Sequence, residues 1–497
     1  MFHIVLQSLS ELADPVTILA ILLASFYGLF VGAIPGLTAT LATALLVPIA
    51  FLLDPVPALA TIVTMQAMAI FAGDIPAALV RMPGTPATAA YTEDSHALSL
   101  QGKVHLVFGI DVLGSALGGV MGAIALIVGA PLLMEFALQF TSFEYFWLAL
   151  LGLSTAAFIA TESPVKGMLS VLIGLFLSTI GIDITLGFPR FTFGSSNLLG
   201  GISFIPAMIG LFGLAEVLRN VLRGEMHTSL ARLEHKAMLR PALPILWRYR
   251  VNMVRGGVIG LLVGALPGAG ADIAAWLAYG AAKKFSKAPE QFGKGALEPL
   301  VDAGVANNSA LAGAWIPALV FGIPGDSVTA IVIGILMLKG LRPGPVIFQQ
   351  YTDVLVSIYI TFILANLLMI PMGYLAIRAS SHVLRVPRNI LMPAILLMCI
   401  VGAYAINNSA FDIGLMLVMG ILGFLLESYG FPVAPIVLGL VLGPILEQNF
   451  MISLIKSQWG LSPFFLRPVS AILGGITLLV WILPLLPLCK KLLRFQE

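Results

Sequence analysis

The first apolar block runs from Asp14 to Asp54, about 40 residues, twice the ~20 that a spanning helix needs. Pro35-Gly36 cuts it near its middle, so it reads as two spans or a hairpin. Further apolar segments follow at roughly 56–73, 75–92, 104–134, 143–160, 165–187 and 201–218. After a polar stretch the style resumes at roughly 253–282, 303–338, 352–377, 390–406, 411–427, 431–446 and 468–489. The segments at 75–92, 253–282 and 303–338 are interrupted. The pattern predicts an all-α polytopic membrane protein with roughly 10–14 membrane segments, Pro-Gly-broken helices or re-entrant hairpins among them. Before Asp14-Pro15 there is neither a basic n-region nor a small-residue cleavage site, so the first segment is expected to stay as structure.

The halves repeat. Val31-Gly-Ala-Ile-Pro-Gly-Leu-Thr-Ala-Thr-Leu-Ala42 matches Val263-Gly-Ala-Leu-Pro-Gly-Ala-Gly-Ala-Asp-Ile-Ala274 at seven of twelve positions. Ile75-Pro-Ala-Ala-Leu-Val-Arg-Met-Pro-Gly-Thr-Pro-Ala-Thr-Ala89 matches Ile316-Pro-Ala-Leu-Val-Phe-Gly-Ile-Pro-Gly-Asp-Ser-Val-Thr-Ala330 at seven of fifteen. Small apolar residues coincide by chance in membrane proteins, but two pairs in the same order carry weight. They divide the chain into a first membrane repeat (1–218), a linker (219–252) and a second repeat with C-terminal helices (253–497).

Composition agrees with the blocks. Only 10% of residues are charged and 59% are hydrophobic, with mean hydropathy +1.02, far from a soluble domain. Fifty Gly and 31 Pro suit broken and closely packed helices. A net charge of +2 without a basic arm excludes nucleic-acid binding. Cys399 and Cys489 read as packing residues, the six His lack metal-ligand spacing, and no Walker-type loop for ATP occurs. No cofactor is expected, and energy must come from an ion gradient or a partner.

Where the charges fall orients the halves. Residues 1–80 contain no Lys or Arg, whereas 219–255 contain eight, so the linker is expected on the cytoplasmic side. Lys283, Lys284, Lys287 and Lys294 place both ends of the second broken hairpin there too. The first is flanked by Glu11, Asp14 and Asp54 with no base, which predicts the opposite side and two inverted repeats. Lys490, Lys491 and Arg494 put the C-terminus inside.

Inverted repeats broken at matching points predict a transport site near the bilayer midplane. A break frees backbone groups that must line a cavity or meet a ligand, and the new helix start favours an anion. Pro35, Gly36, Thr38, Asp74, Arg81, Pro83, Gly84, Thr85 and Thr88 are the first repeat's substrate candidates, with Thr85 as cap and Pro86 at the first helical position. Arg81, in an apolar stretch, either pairs with Asp74 or Glu93 or binds a substrate carboxylate. In the second repeat Asn307, Asn308, Pro324, Gly325 and Ser327 join the substrate candidates. Asp326 and Asp272 either cap helices or, with Asp302, Asn307, Asn308 and Asn407, supply oxygens to a coupling cation. The first repeat thus leans toward the anion and the second toward the ion.

These residues closely resemble the TctA family, the large membrane subunit of tripartite tricarboxylate transporters. The likeness extends through Phe292-Gly293-Lys294-Gly295, Gly340-Leu341-Arg342-Pro343-Gly344-Pro345, Gly402 to Ser409 and Gly430 to Pro444. It implies a multi-pass secondary transporter of a bacterial inner membrane. A periplasmic binding protein (TctC-like) would deliver a small carboxylate, a four-helix membrane subunit (TctB-like) would assist, and Na+ or H+ would couple the uptake. One bundle carrying both hairpin tips is expected to slide against a scaffold, elevator-fashion. Glu93-Asp94-Ser-His96, Asp302, Phe71-Ala72-Gly73 and Arg81 depart from the family pattern around the proposed site, which leaves the carboxylate open. A passive channel or structural subunit remains an alternative. An intramembrane aspartyl protease fits less well, because Gly268-Ala-Gly270-Ala-Asp272 is one residue longer than its motif and no Tyr-Asp partner occurs.

Overall fold

In the computed structural model, residues 2–34, 37–159, 163–183, 187–223, 237–383 and 388–493 are described. Helices dominate them, and the strands form one two-residue antiparallel ribbon, Gly181–Ile182 with Pro189–Arg190. Among the described residues, eight helices are long and apolar enough to cross a membrane, and five shorter apolar helices accompany them. Phe26, Leu52, Leu133, Phe176 and Ile472 point outward, as they should where lipid is the solvent.

The first half contains α1 (Pro15–Gly32), α2 (Ala39–Leu52), α3 (Pro55–Ala72), α4 (Asp74–Val80) and α5 (Val104–Ala137). The second contains α6 (Arg250–Gly264), α7 (Gly270–Phe285), α8 (Glu298–Phe321), α9 (Ser327–Leu338) and α10 (Thr352–Val383). Nearly every residue of the Pro55–Val80 span is buried, so it forms the middle of the molecule rather than its lipid face. Residues 299–320 of α8 are all buried beside it.

Small residues set these packings. A Cβ on Gly28 or Gly32 of α1 would lie 2.5 Å from the Met65 carbonyl oxygen or 2.3 Å from that of Ala69, both on α3. On α6, a Cβ added at Gly260 or Gly264 would likewise lie 2.3 Å from the carbonyl oxygen of Ala306 or Ala310 on α8. Helices in lipid associate through such close backbone approach. The two halves therefore use the same joint at matched positions.

The turns match as well. Ala33, Ile34 and Leu37 donate to Leu29, Val31 and Ile34, and Ala265, Leu266 and Ala269 donate to Leu261, Val263 and Leu266. Met82 N–H donates to Pro76 O at 3.3 Å, and Ile323 N–H donates to Pro317 O at 3.3 Å. Arg81 and Gly322 end their helices in the same left-handed conformation, at φ 57° and 69°. The sequence repeat is thus a repeat of local geometry.

Candidate functional site

Residues following the Pro-Gly breaks meet around one cavity of about 400 Å3. Thr38, Ala39 and Thr40 line it from the start of α2, and Thr85 and Pro86 from the end of the α4 break. Gly268 to Asp272 enter from α7, Asn307 from α8, and Asp326 and Ser327 from α9. Pro35 and Gly36 lie outside the described residues.

Direct bonds tie the tips across the halves. Asp272 Oδ1 accepts from Ala87 N–H at 3.2 Å and Thr40 Oγ1 lies 2.9 Å from Ser327 Oγ, while within the second half Gly268 N–H donates to Gly325 O at 2.7 Å. Two starts are capped by their own side chains, so their geometry is fixed without a ligand. Thr38 Oγ1 accepts from Leu41 N–H at 3.2 Å. Asp326 Oδ1 accepts from Thr329 N–H at 2.7 Å while Thr329 Oγ1 accepts from Asp326 N–H at 2.9 Å, a reciprocal box.

The first repeat departs from expectation after Gly84. No α-helix starts at Pro86; a turn and a 3-10 segment, Thr88–Ala90, come first, followed by Thr92–Leu98. Thr85 Oγ1 accepts from Thr88 N–H at 3.2 Å, and Thr88 Oγ1 donates to Asp74 Oδ1 at 2.9 Å. That side-chain bond competes with regular helix. No α-helix start is formed there, whereas α2 begins at the cavity with no acidic residue in its first turn.

Several sequence candidates lie elsewhere. Arg81 is on the surface, its side chain 62% exposed, with Nη2 2.9 Å from Glu93 Oε2. The apolar run suggested burial, but the helix ends at Val80 and the left-handed turn carries the guanidinium outward. Pro83 is exposed, while Gly84 packs on Gly73 and Gly32. Asp302 is fully buried and held by Arg255 Nη2 at 2.6 Å and Asn252 Nδ2 at 2.7 Å, away from the cavity. Asn407 donates to Asp412 Oδ2 at 2.7 Å and to Ser203 at 3.1 Å. Asp74 and Asn308 are buried but do not line the cavity. Pro324 is also buried outside the lining.

Three lining groups were not among the sequence candidates. Glu216, Arg219 and Glu427 form one wall; Arg219 Nη1 lies 2.5 Å from Glu216 Oε2, and its Nη2 contacts Glu427. The helix carrying Arg219 reaches the cavity through a π-helical segment, Ile209–Leu214, which re-aims the following turn. Arg219 is the basic group among the lining residues, facing four carboxylates: Glu216, Asp272, Asp326 and Glu427. Such a wall attracts cations and repels an anion unless its charge is offset.

Comparisons with known proteins agree with this architecture. The Tripartite tricarboxylate transporter TctA family profile matches residues 18–438. An uncharacterized 52.8 kDa protein in the TAR-I ttuC' 3' region of Agrobacterium vitis is 33% identical over 482 residues, 95% of this chain and 94% of that one. An uncharacterized protein in the TAR-II ttuC' 3' region of the same organism is 37% identical over 228 residues, 46% of this chain and 94% of that one. No solved structure matches. With the profile covering both broken halves, the chain belongs to the tripartite tricarboxylate transporter TctA family, a family of multi-pass membrane transporter components.

Proposed function

We propose that this chain is the membrane permease of a tripartite carboxylate uptake system and that cation binding at the cavity prepares it for an anionic substrate. The observation that carries the reading is the meeting of broken segments from both halves on one cavity that holds four carboxylates. Asp272, Asp326, Asn307 and Ser327 would hold Na+ or H+, lowering the negative charge that four lining carboxylates create. The start of α2 at Thr38 to Thr40 and the Arg219 guanidinium would then take the carboxylate, by helix-end dipole and by fork geometry.

The two halves, 1–218 and 253–497 around the 219–252 linker, are read as inverted repeats, and their shared joints support a bundle of tips that slides between the two membrane faces. A periplasmic binding protein would deliver the substrate and a small four-helix subunit would complete the complex in a bacterial inner membrane, with the C-terminus cytoplasmic. Reconstituting the chain with both partners and offering radiolabelled di- and tricarboxylates tests this. Accumulation above equilibrium under an inward Na+ or H+ gradient is expected. Equilibration without a gradient would instead show a passive channel.

A further inference from the structure

Behind the cavity wall lies a second buried polar centre. Asp74 is 1% exposed; its Oδ1 accepts from Thr88 Oγ1 at 2.9 Å and from the Tyr91 hydroxyl at 2.6 Å. Its Oδ2 has no hydrogen-bond partner, and neither oxygen of Asp111, also 1% exposed, has one. Asp111 lies on α5, which packs against α4, the short helix that Asp74 begins. Ser115 follows Asp111 by one turn of α5, on the same face, with a fully buried hydroxyl and no partner. Asn307 lies beside the Tyr91 hydroxyl without reaching hydrogen-bonding geometry. Among the described residues, no Lys, Arg or His forms an ion pair with either carboxylate.

Two unpaired carboxylates in a membrane interior must be neutralised. One shared proton would cancel one of the two charges and still leave oxygens idle, so a monovalent cation beside it completes the neutralisation. Two hydroxyl donors converge on one oxygen of Asp74 and leave Oδ2 directed to something else. Oxygen-only donors of this kind suit a hard cation. A divalent ion held by both carboxylates would leave slowly, whereas an ion released in every cycle must be held loosely.

We infer that Asp74 and Asp111, with Ser115 and Asn307, form a second site for an alkali cation of the Na+ type, joined to the cavity through Asn307. This rests on the proposed cation-coupled uptake and adds to it a binding step outside the cavity. Asn307 shares both places, so filling the inner site would orient the amide that lines the outer one.

The test uses the purified full chain in detergent, with Na+ replacing choline at constant ionic strength and melting temperature as the readout. Asp326→Asn removes the cavity carboxylate; Na+ should still raise the melting temperature of this variant, with half-saturation shifted less than threefold. Adding Asp111→Asn should abolish the remaining shift, and Ser115→Ala should weaken Na+ at least threefold while the protein stays monodisperse. If Asp326→Asn alone abolishes every Na+ response, the inner site is overturned while the proposed coupling stands. If acidification rather than Na+ produces the shift that Asp111→Asn removes, the site carries a proton and the cation assignment is overturned. If no variant alters the Na+ response, the coupling reading fails with it.

Discussion

Thr40 and Ser327, 287 residues apart, place their hydroxyl oxygens 2.9 Å from each other. Each is the second or first residue of a helix that begins just after a Pro-Gly break, one in each half. The matched repeat windows align Thr40 with Asp272 and Pro86 with Ser327. Asp272 in turn bonds the amide of Ala87, so the two cross-half contacts join corresponding places with the roles of the halves exchanged. The tips therefore touch each other as well as the cavity.

Removing that hydroxyl pair should loosen the tips without unfolding the bundle. Thr40→Val and Ser327→Ala each delete one member of a bond worth about 1 kcal/mol, and each is expected to lower uptake about fivefold. The double variant should be no worse than the more impaired single one, since both remove the same contact. A double-mutant cycle on initial uptake rates reads this directly; additive losses would mean that the hydroxyls act separately.

The glycine joints make a prediction about assembly. Gly32→Ala would set a methyl 2.3 Å from the Ala69 carbonyl oxygen, which is backbone and cannot swing away. Overpacking of this kind costs about 1–3 kcal/mol, so the variant should melt several degrees lower or leave the detergent-soluble fraction. Gly280→Ala on α7 is the control, because a methyl there meets nothing within 4 Å. It should equal the parent or exceed it slightly, as Ala favours helix.

Asp302 and Arg255 should matter for stability rather than for ligand affinity. The carboxylate is fully buried, and the guanidinium, 21% exposed, meets it at 2.6 Å. Removing one partner of such a pair typically costs about 3–5 kcal/mol because it strands the other. Arg255→Ala is expected to lower the melting temperature sharply, and any surviving protein should keep its Na+ requirement within twofold. A large shift in Na+ requirement at unchanged stability would return Asp302 to the coupling site.

Much of this arrangement is legible in the sequence because the breaks are chemical. Pro-Gly steps inside apolar runs cannot continue a helix, and their repetition at matched positions marks Thr38, Thr85, Asp272 and Ser327, all of which line the cavity. Arg81 shows the limit. Hydropathy averages over a window, so it cannot tell that the chain turns outward at one residue, whereas φ 57° at Arg81 does so. Arg219 was hidden for the opposite reason. It belongs to a basic cluster that reads as a solvated loop, and the π-helical turn that carries it inward leaves no signal in composition. Asp111 is one of two acids within 34 residues of helix, the other being Glu135 near its far end, and its nearness to Asp74 arises only from packing.

Asp326 offers the cleanest test of the charge argument. Asn is as good a helix cap as Asp, so Asp326→Asn keeps an acceptor for Thr329 N–H and removes the charge alone. Folding should be preserved within about 1 kcal/mol, while the Na+ concentration for half-maximal uptake rises at least tenfold. The substrate requirement at saturating Na+ should move less than threefold, since the carboxylate is assigned to α2 and Arg219. Arg219→Lys should give the reverse pattern: a single ammonium keeps the charge but loses the fork, so substrate affinity falls and the Na+ dependence stays. Paired Na+ and substrate titrations of initial uptake separate the two variants, and identical profiles for both would mean that cation and anion are not divided between the two sides of the cavity.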